Sequence, residues 1–282
     1  MILVGDLDKK VQDQVEESGF KTERIEAENP ADYAKAIDTY YAKVSGSLPQ
    51  SVVVGSMDNS DFTLPAVNWI SHMPEPLLYV KKDQVPQETI DALKKRNGEA
   101  NIYLIGPESI VSGTVEKQLA QYGKVTRISG KDAYSNAIAF AKFKDKNTQF
   151  GWGITTPGHN VSFIPSGSKE LAIASAPFSH AGKHAPLLWS DKEKMPSSVM
   201  SYVMSLQPKY KMSPAEGPYN HAWLTGDEKE FSKAAQAELD DMLEIVSESG
   251  QGHGGMNMDG MEGMDKNSEE KKDNSEMPGM NH

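Results

Sequence analysis

The sequence predicts an α/β protein whose parallel sheets are covered by helices on both faces. Short apolar runs such as 52–54 and 102–105 alternate with longer stretches in which apolar residues recur at helical spacing. Parallel strands need crossover connections and are buried on both faces, so they appear as continuous apolar runs. A third observation is self-similarity at a long interval, which indicates that one strand-and-helix unit is used more than once.

The first recurring unit contains a strand, a glycine turn, an amphipathic helix, a short strand and a second helix. The interval from Gly5 to Tyr33 equals the interval from Gly106 to Tyr134. A further copy is predicted to begin at 222–226. Tandem copies of this unit therefore predict successive α/β modules.

A second unit type alternates with the first. The predicted strand 52–56 is followed by 76–79 and by a helix that begins near Pro86, and the predicted strand 171–175 is followed by 186–189 and by a helix that begins near Pro196. Proline is tolerated in the first helical turn because its missing N–H has no helical acceptor there.

Together the two unit types predict the domain organisation. Residues 1–45 form the C-terminal half of a first module, 46–143 a second module and 144–248 a third module, and 249–282 form a disordered tail. Two insertions interrupt the third module: 150–164, predicted as a β-hairpin around a Pro-Gly turn, and 207–219, predicted as a loop.

The chain opens on an apolar strand in the middle of a repeat. We therefore expect the other half of the first module, and an export signal, to lie upstream of Met1, although a native start at Met1 stays open.

Composition excludes several classes of function. The chain has 282 residues, a formal net charge of −11 and no cysteine. Without cysteine there are no disulfides, thiolate zinc sites or cysteine nucleophiles. Nucleic-acid binding needs clustered Lys and Arg, which this sequence lacks, and no apolar run reaches the length of a membrane span.

The tail combines methionine and histidine in a polar context. Its predicted metal ligands are His253, Met256, Met258, Met261, Met264, Met277, Met280 and His282. Thioether sulfur favours Cu(I) and imidazole suits Cu(I) or Cu(II), so copper is the predicted ion. A low-complexity linker that happens to contain methionine is the equally weighted alternative.

No enzyme signature is present in the folded part. His180 and His184 have the spacing that places two imidazoles on one helix face, but no Glu follows His180, and we favour two partly exposed histidines without a ligand. Gly5, Gly55, Gly106 and Gly226 are interpreted as sharp strand exits rather than as phosphate-binding loops.

Residues 101–141 resemble the second class of cell wall binding repeats, found in surface proteins of Gram-positive bacteria. The resemblance rests on the strand 101–106, the helix residues 115–119 and the stretch 125–134, with Ala133 in place of the arginine that the family usually has before its tyrosine. It extends more loosely over about the first 245 residues and excludes the tail.

The resemblance implies tandem Rossmann-like or Toprim-like modules, export to the cell surface and non-covalent binding to an anionic wall polymer. It transfers Arg127, Lys131 and Asp132 as candidate polymer contacts. Arg127 occupies the same place as Arg24 in the first module, and a structural ion pair is the favoured interpretation of both arginines.

Three hypotheses follow. The first is a non-catalytic cell-surface protein held to wall polymer by its modules, with a tail that binds copper. The second is an extracellular copper-handling protein whose modules serve only as scaffold. The third, an α/β enzyme of unknown substrate, rests on fold analogy alone. No cofactor is required by the first.

Overall fold

The computed structural model describes residues 1–180 and 184–249. Helices alternate with strands along the chain, and every strand pair within these residues is parallel. The predicted α/β class with parallel sheets is therefore confirmed. No helix in this part of the chain combines the length and apolar character needed to cross a bilayer.

The first unit contains two short strands, which pair with each other, and two helices. It consists of β1 (Ile2–Val4), α1 (Lys9–Glu17), β2 (Glu23–Ile25) and α2 (Pro30–Ser45). α2 begins after Asn29, whose side chain accepts hydrogen bonds from two backbone N–H groups of the first turn, and it ends at Gly46 in the left-handed conformation.

The second unit contains a four-stranded sheet of order β4-β3-β5-β6. Its elements are β3 (Ser51–Ser56), α3 (Ser60–Thr63), α4 (Pro65–Ile70), β4 (Leu77–Val80), α5 (Gln87–Lys94), β5 (Ala100–Ile105), α6 (Gly113–Leu119), β6 (Gly123–Ile128) and α7 (Ala133–Lys142).

Both faces of this sheet are buried, as continuous apolar strands require. Val52 and Val54 of β3 belong to one core cluster, whereas Val53 between them belongs to another. The same alternation separates Leu104 from Tyr103 in β5. Helices therefore cover the sheet from two sides.

The third unit contains a three-stranded sheet of order β10-β7-β8 and a two-stranded sheet of β11 and β9. Its elements are β7 (Asn160–Pro165), α8 (Lys169–Phe178), β8 (Leu187–Ser190), α9 (Ser197–Ser205), β9 (Lys209–Tyr210), a 3-10 helix (Pro214–Glu216), β10 (His221–Leu224), α10 (Lys233–Leu243) and β11 (Val246–Ser247). The segment 207–219, predicted as a plain loop, thus contains a strand and a helical turn.

Two predictions for the third unit are wrong. Residues 171–175 lie inside α8 rather than in a strand. Ala172, Ser175 and Ala176 are buried while Ile173 is exposed, which is helical spacing, and alanine favours helix over strand. A short apolar run cannot separate the two structures by itself.

The predicted hairpin 150–164 does not form. Its second half is β7, the central strand of the sheet, which pairs with β8 and β10 instead of with 150–154. The first half is an irregular loop anchored by backbone hydrogen bonds from Gly153 to Phe143 and from Ile154 to Ala141. β7 pairs on both edges with distant strands, so neither edge is open to a hairpin partner.

The strand-ending glycines divide into two groups. Gly5, Gly106 and Gly226 follow β1, β5 and β10 and have φ values of 109°, 117° and 144°, a region that L side chains rarely adopt. Gly55 instead lies inside β3, where an added Cβ would come within 2.4 Å of Thr63. The prediction of a strand exit is therefore wrong for Gly55. A glycine is required at this position because α3 packs closely against β3 there.

A buried ion pair joins the first two units. Arg96, after α5, donates to both carboxylate oxygens of Asp38 on α2 at 2.8 and 3.0 Å, and both side chains are at most 1% exposed. Two further donations, to the carbonyls of Pro49 and Ala92, bring the hydrogen bonds of the guanidinium to four. The pair fixes α2 against α5.

Candidate functional site

Two of the three predicted polymer contacts are already engaged within the protein. Arg127 donates to Glu116 at 2.8 and 3.0 Å and to the carbonyl of Gly106 at 2.7 Å. The equivalent Arg24 pairs with Glu26 at 2.7 Å and donates to the carbonyl of Leu7. Both arginines therefore brace the turn that follows a strand, and a polymer would compete with these partners.

Asp132 caps α7 and Lys131 is exposed. The Asp132 carboxylate accepts hydrogen bonds from the backbone N–H and the hydroxyl of Ser135, and the Asp132 backbone N–H donates in return to the Ser135 hydroxyl oxygen, which completes a capping box. Burial raises the pKa of Asp132, but these hydrogen bonds and the charge of Lys131 outweigh it and hold the pKa below its usual value. Within the described part of the chain no carboxylate pairs with Lys131, so it is the predicted residue best able to meet a ligand.

A polar network joins the second and third units near Lys131. Tyr134 of α7 donates to Asp191 at 2.5 Å, and Ser166 donates to Asp191 at 2.7 Å. Ser166 and Asp191 directly follow β7 and β8, at the carboxyl ends of parallel strands. Burial and the bond to Asp191 raise the pKa of the Tyr134 hydroxyl. This network serves the contact between the units.

A cavity of about 300 Å³ lies where the second and third units meet. It is lined by Trp69, His72, Met73, Lys144, Gln149, Gly151, Trp152, Ile154, His159 and His184. We call it the junction pocket. It combines aromatic walls, imidazoles and one ammonium group in a chain whose formal net charge is −11.

Trp152 forms one wall of the junction pocket. Its ring is edge-on to Trp69 at 5.2 Å and stacked on His72 at 6.2 Å with an interplanar angle of 13°. Its indole N–H is buried and has no hydrogen-bond acceptor among the described residues. A buried N–H without an acceptor destabilises the protein, so a polar ligand or a water that accepts its hydrogen bond is bound favourably.

The irregular loop after α7 holds Trp152 in place. Phe150 stacks on Tyr103 with ring centroids 3.7 Å apart and an interplanar angle of 6°. Gly151 has φ +95°, and a Cβ there would lie 2.4 Å from the carbonyl oxygen of Phe143. The close backbone approach that glycine permits turns the chain so that Trp152 faces the pocket while Phe150 stays in the core.

Three histidines cluster at one side of the junction pocket. The Nδ1 atoms of His72, after α4, and His180, after α8, are 3.3 Å apart. The ring of His184 is perpendicular to that of His72, with centroids 4.3 Å apart. Burial, followed by repulsion from His184 and His180, lowers the pKa of His72, so its neutral form is favoured.

The two helices that carry this cluster are pinned to each other. The hydroxyls of Ser71 and Ser179 lie 3.0 Å apart, and both donate to the carbonyl of Ala176. The Asn68 side chain donates to the carbonyl of Ala185 at 2.9 Å. The positions of His72 and His180 are therefore set by the packing of α4 against α8.

Glu75, which accepts a hydrogen bond from the pocket residue Trp69, gives a pH-dependent prediction of stability. Burial raises its pKa, despite the hydrogen bond that it accepts from the Trp69 indole and the nearby charge of Lys144. The folded protein therefore holds the proton more tightly than the unfolded chain does. The stability linked to Glu75 is complete below its ordinary pKa of about 4.3 and is lost as the pH rises through the raised value.

We expect Glu75→Gln, which keeps an acceptor for the Trp69 indole, to be more stable than the wild type at about pH 7 and to match it at about pH 4. Urea unfolding of both proteins at the two pH values measures the difference. A wild type that is the more stable of the two at neutral pH would contradict this assignment.

A second cavity, of about 470 Å³, lies between α2 and the second unit, beside the contact that α2 makes with α5. Tyr33, Ile37 and Tyr41 line one side, and Pro76 and Tyr79 are on the other. Its lining is mainly apolar and lacks the imidazole and ammonium groups of the junction pocket, so we place the candidate site in the junction pocket.

The predicted copper ligands of the tail lie outside the described residues. These are His253, Met256, Met258, Met261, Met264, Met277, Met280 and His282. Copper binding by the tail therefore stays a prediction.

No family model matches this chain. The chain is 29% identical over 149 residues to an amidase enhancer of Bacillus subtilis strain 168, a match that covers 52% of this chain and 19% of that protein. It therefore spans about a fifth of the length of that relative.

Two cell wall proteins of Clostridium difficile have similar solved structures. Cwp6 matches with a TM-score of 0.67 and 16% identity over 86% of this chain and 35% of its own. Cwp8 matches with a TM-score of 0.58 and 17% identity over 85% of this chain and 37% of its own. The described residues therefore have an α/β fold of the kind found in these clostridial proteins.

Proposed function

We propose that this chain is a non-catalytic cell-surface protein that binds an anionic cell-wall polymer in the junction pocket. The observation that carries the proposal is the composition of that pocket, in which Lys144 and His159 border the aromatic wall of Trp152. The fold similarity to Cwp6 and Cwp8 and the sequence similarity to the amidase enhancer support a location in the cell wall.

The chemistry of the pocket suits a charged saccharide. An aromatic face packs against the apolar face of a sugar ring, and an ammonium or imidazolium group pairs with a phosphate or carboxylate. Lys144 is exposed, and its ammonium donates to the carbonyl of Gln149 at 2.6 Å rather than to a carboxylate. This contact does not neutralise the positive charge of Lys144. A local cation of this kind lets an acidic chain bind an anionic ligand.

The test is co-sedimentation with purified Gram-positive walls that retain their polymers. We expect Lys144→Gln/His159→Gln to bind about tenfold more weakly than the wild type, because charge-assisted hydrogen bonds are lost. Walls stripped of anionic polymer should no longer pellet the wild type.

Lys146→Gln is the matched control, because this exposed lysine lies in the same loop and does not line the pocket. Lys131→Gln tests the contact that the family resemblance implies. If Lys131→Gln weakens binding and the pocket variant does not, the polymer contact lies at α7. If the wild type fails to pellet with complete walls, wall binding is rejected.

A second candidate function is stimulation of an amidase, favoured by the similarity to the amidase enhancer. The rate of wall digestion by a purified amidase, with and without this protein, separates the two. An unchanged rate at saturating protein would leave wall attachment as the function. The copper proposal for the tail is independent of both.

A further inference from the structure

The contact between His72 and His180 has the dimensions of a metal-ligand pair. In a tetrahedral site with Zn–N bonds of about 2.0–2.1 Å, two ligand nitrogens are about 3.3 Å apart. The two Nδ1 atoms are 3.3 Å apart in this structure. A hydrogen bond between neutral imidazoles gives a similar distance, so the separation permits both contacts.

The surroundings favour a ligand role. The two histidines come from different units, and the serine contacts between α4 and α8 fix the backbone positions from which they project, so part of the ordering that a metal site needs is already present. Trp152 lies nearly parallel to the His72 ring at a centroid distance of 6.2 Å. Ligands that are oriented before binding raise affinity, because their ordering cost is already met.

The third histidine of the cluster, His184, lies near His72 but is not placed as a third ligand. Among the described residues no group of three or more His, Asp or Glu side chains is arranged to hold a metal ion. His184 is exposed, and its ring centroid is 4.3 Å from that of His72. An ion held by the two Nδ1 atoms would have positions left for water and for His184, whose side chain would have to rotate toward the pair.

We propose that His72 and His180 bind a nitrogen-preferring divalent transition ion, with Zn²⁺ as its representative, and that the ion links the second unit to the third. This site is separate from the predicted copper ligands of the tail, and the proposal does not depend on wall binding. Because the ion binds only when α4 and α8 are packed together, it stabilises the folded state over the unfolded one.

Isothermal titration of the full chain with ZnCl₂ tests the proposal. We expect His72→Gln and His180→Gln each to lower the affinity of the site by at least about tenfold and to abolish the rise in Tm that Zn²⁺ produces. His184→Gln should have a smaller effect. All variants keep the tail, so binding by His253 and His282 is common to every titration.

His221→Gln is the matched control, because this histidine is exposed on β10 and its side chain does not line the junction pocket. His180→Cys restores a Zn²⁺ ligand and should recover affinity, which separates loss of a ligand from loss of folding. Co²⁺ bound to the wild type should give the intense visible bands of tetrahedral coordination. If the wild type and His72→Gln take up Zn²⁺ identically, the contact is only a hydrogen bond and the proposal fails.

Discussion

Replacement of Arg96 by methionine is expected to lower the free energy of unfolding by about 3–5 kcal/mol. The guanidinium is fully buried and Asp38 is 1% exposed, so the substitution leaves a buried carboxylate without its partner. The carbonyls of Pro49 and Ala92 lose their donors as well. Urea unfolding at neutral pH measures the loss.

Two comparisons assign that loss to the isolated charge. Asp38→Leu/Arg96→Met removes both charges, and we expect it to be clearly more stable than Arg96→Met alone. Lys43→Gln breaks the pair between Lys43 and Glu23, whose side chains are 71% and 48% exposed, and should lower the stability far less than Arg96→Met does. If Arg96→Met were as mild as Lys43→Gln, the buried pair would not hold α2 to α5.

The strands of the first two units and their order along the chain could be predicted, and in the second unit burial on both faces leaves a direct mark on the sequence. The runs that contain Val53 and Tyr103 are apolar at every position, and both residues are buried. The glycines at 5, 106 and 226 are likewise predictable, since a left-handed residue directly after a strand favours glycine.

The predictions failed where local sequence fits two structures. Residues 171–175 are as apolar as a strand, but they are rich in alanine, and as part of α8 they pack against α4 and β7. The residues 150–154 looked like half of a hairpin, yet Phe150 is drawn into the core by Tyr103. In both cases tertiary packing decided the outcome.

The candidate site was harder to predict than the fold. Arg127 stands out because Arg24 occupies the same place in the first module, and Asp132 because it lies in the stretch that resembles the cell wall binding repeats, but hydrogen bonds within the protein give both a structural role. The junction pocket has no local signature, because Trp69 and Trp152 are far apart in sequence. The sequence signal for the histidine cluster was the pair His180 and His184. The third histidine of the cluster, His72, comes from another unit.

Trp69→Ala is expected to destabilise the protein by about 3–5 kcal/mol, the range for deletion of a buried aromatic side chain. Trp69 is 4% exposed and contacts Phe140, Phe150 and Trp152 at centroid distances of 6.4, 4.9 and 5.2 Å. These partners come from α7 and from the loop after it, so the cavity would open where the pocket joins the core. Urea unfolding measures the effect.

Trp69→Phe separates packing from hydrogen bonding, because it keeps an aromatic ring but removes the donor to Glu75. We expect it to cost about 1–2 kcal/mol. Trp69→Ala should also weaken wall binding at temperatures where it stays folded, because Trp152 loses the ring that it packs against and the wall of the pocket shifts, whereas Trp69→Phe keeps a ring there and should bind nearly as well as the wild type. A Trp69→Ala protein that is as stable as the wild type would show that Trp69 does not join the core to the pocket.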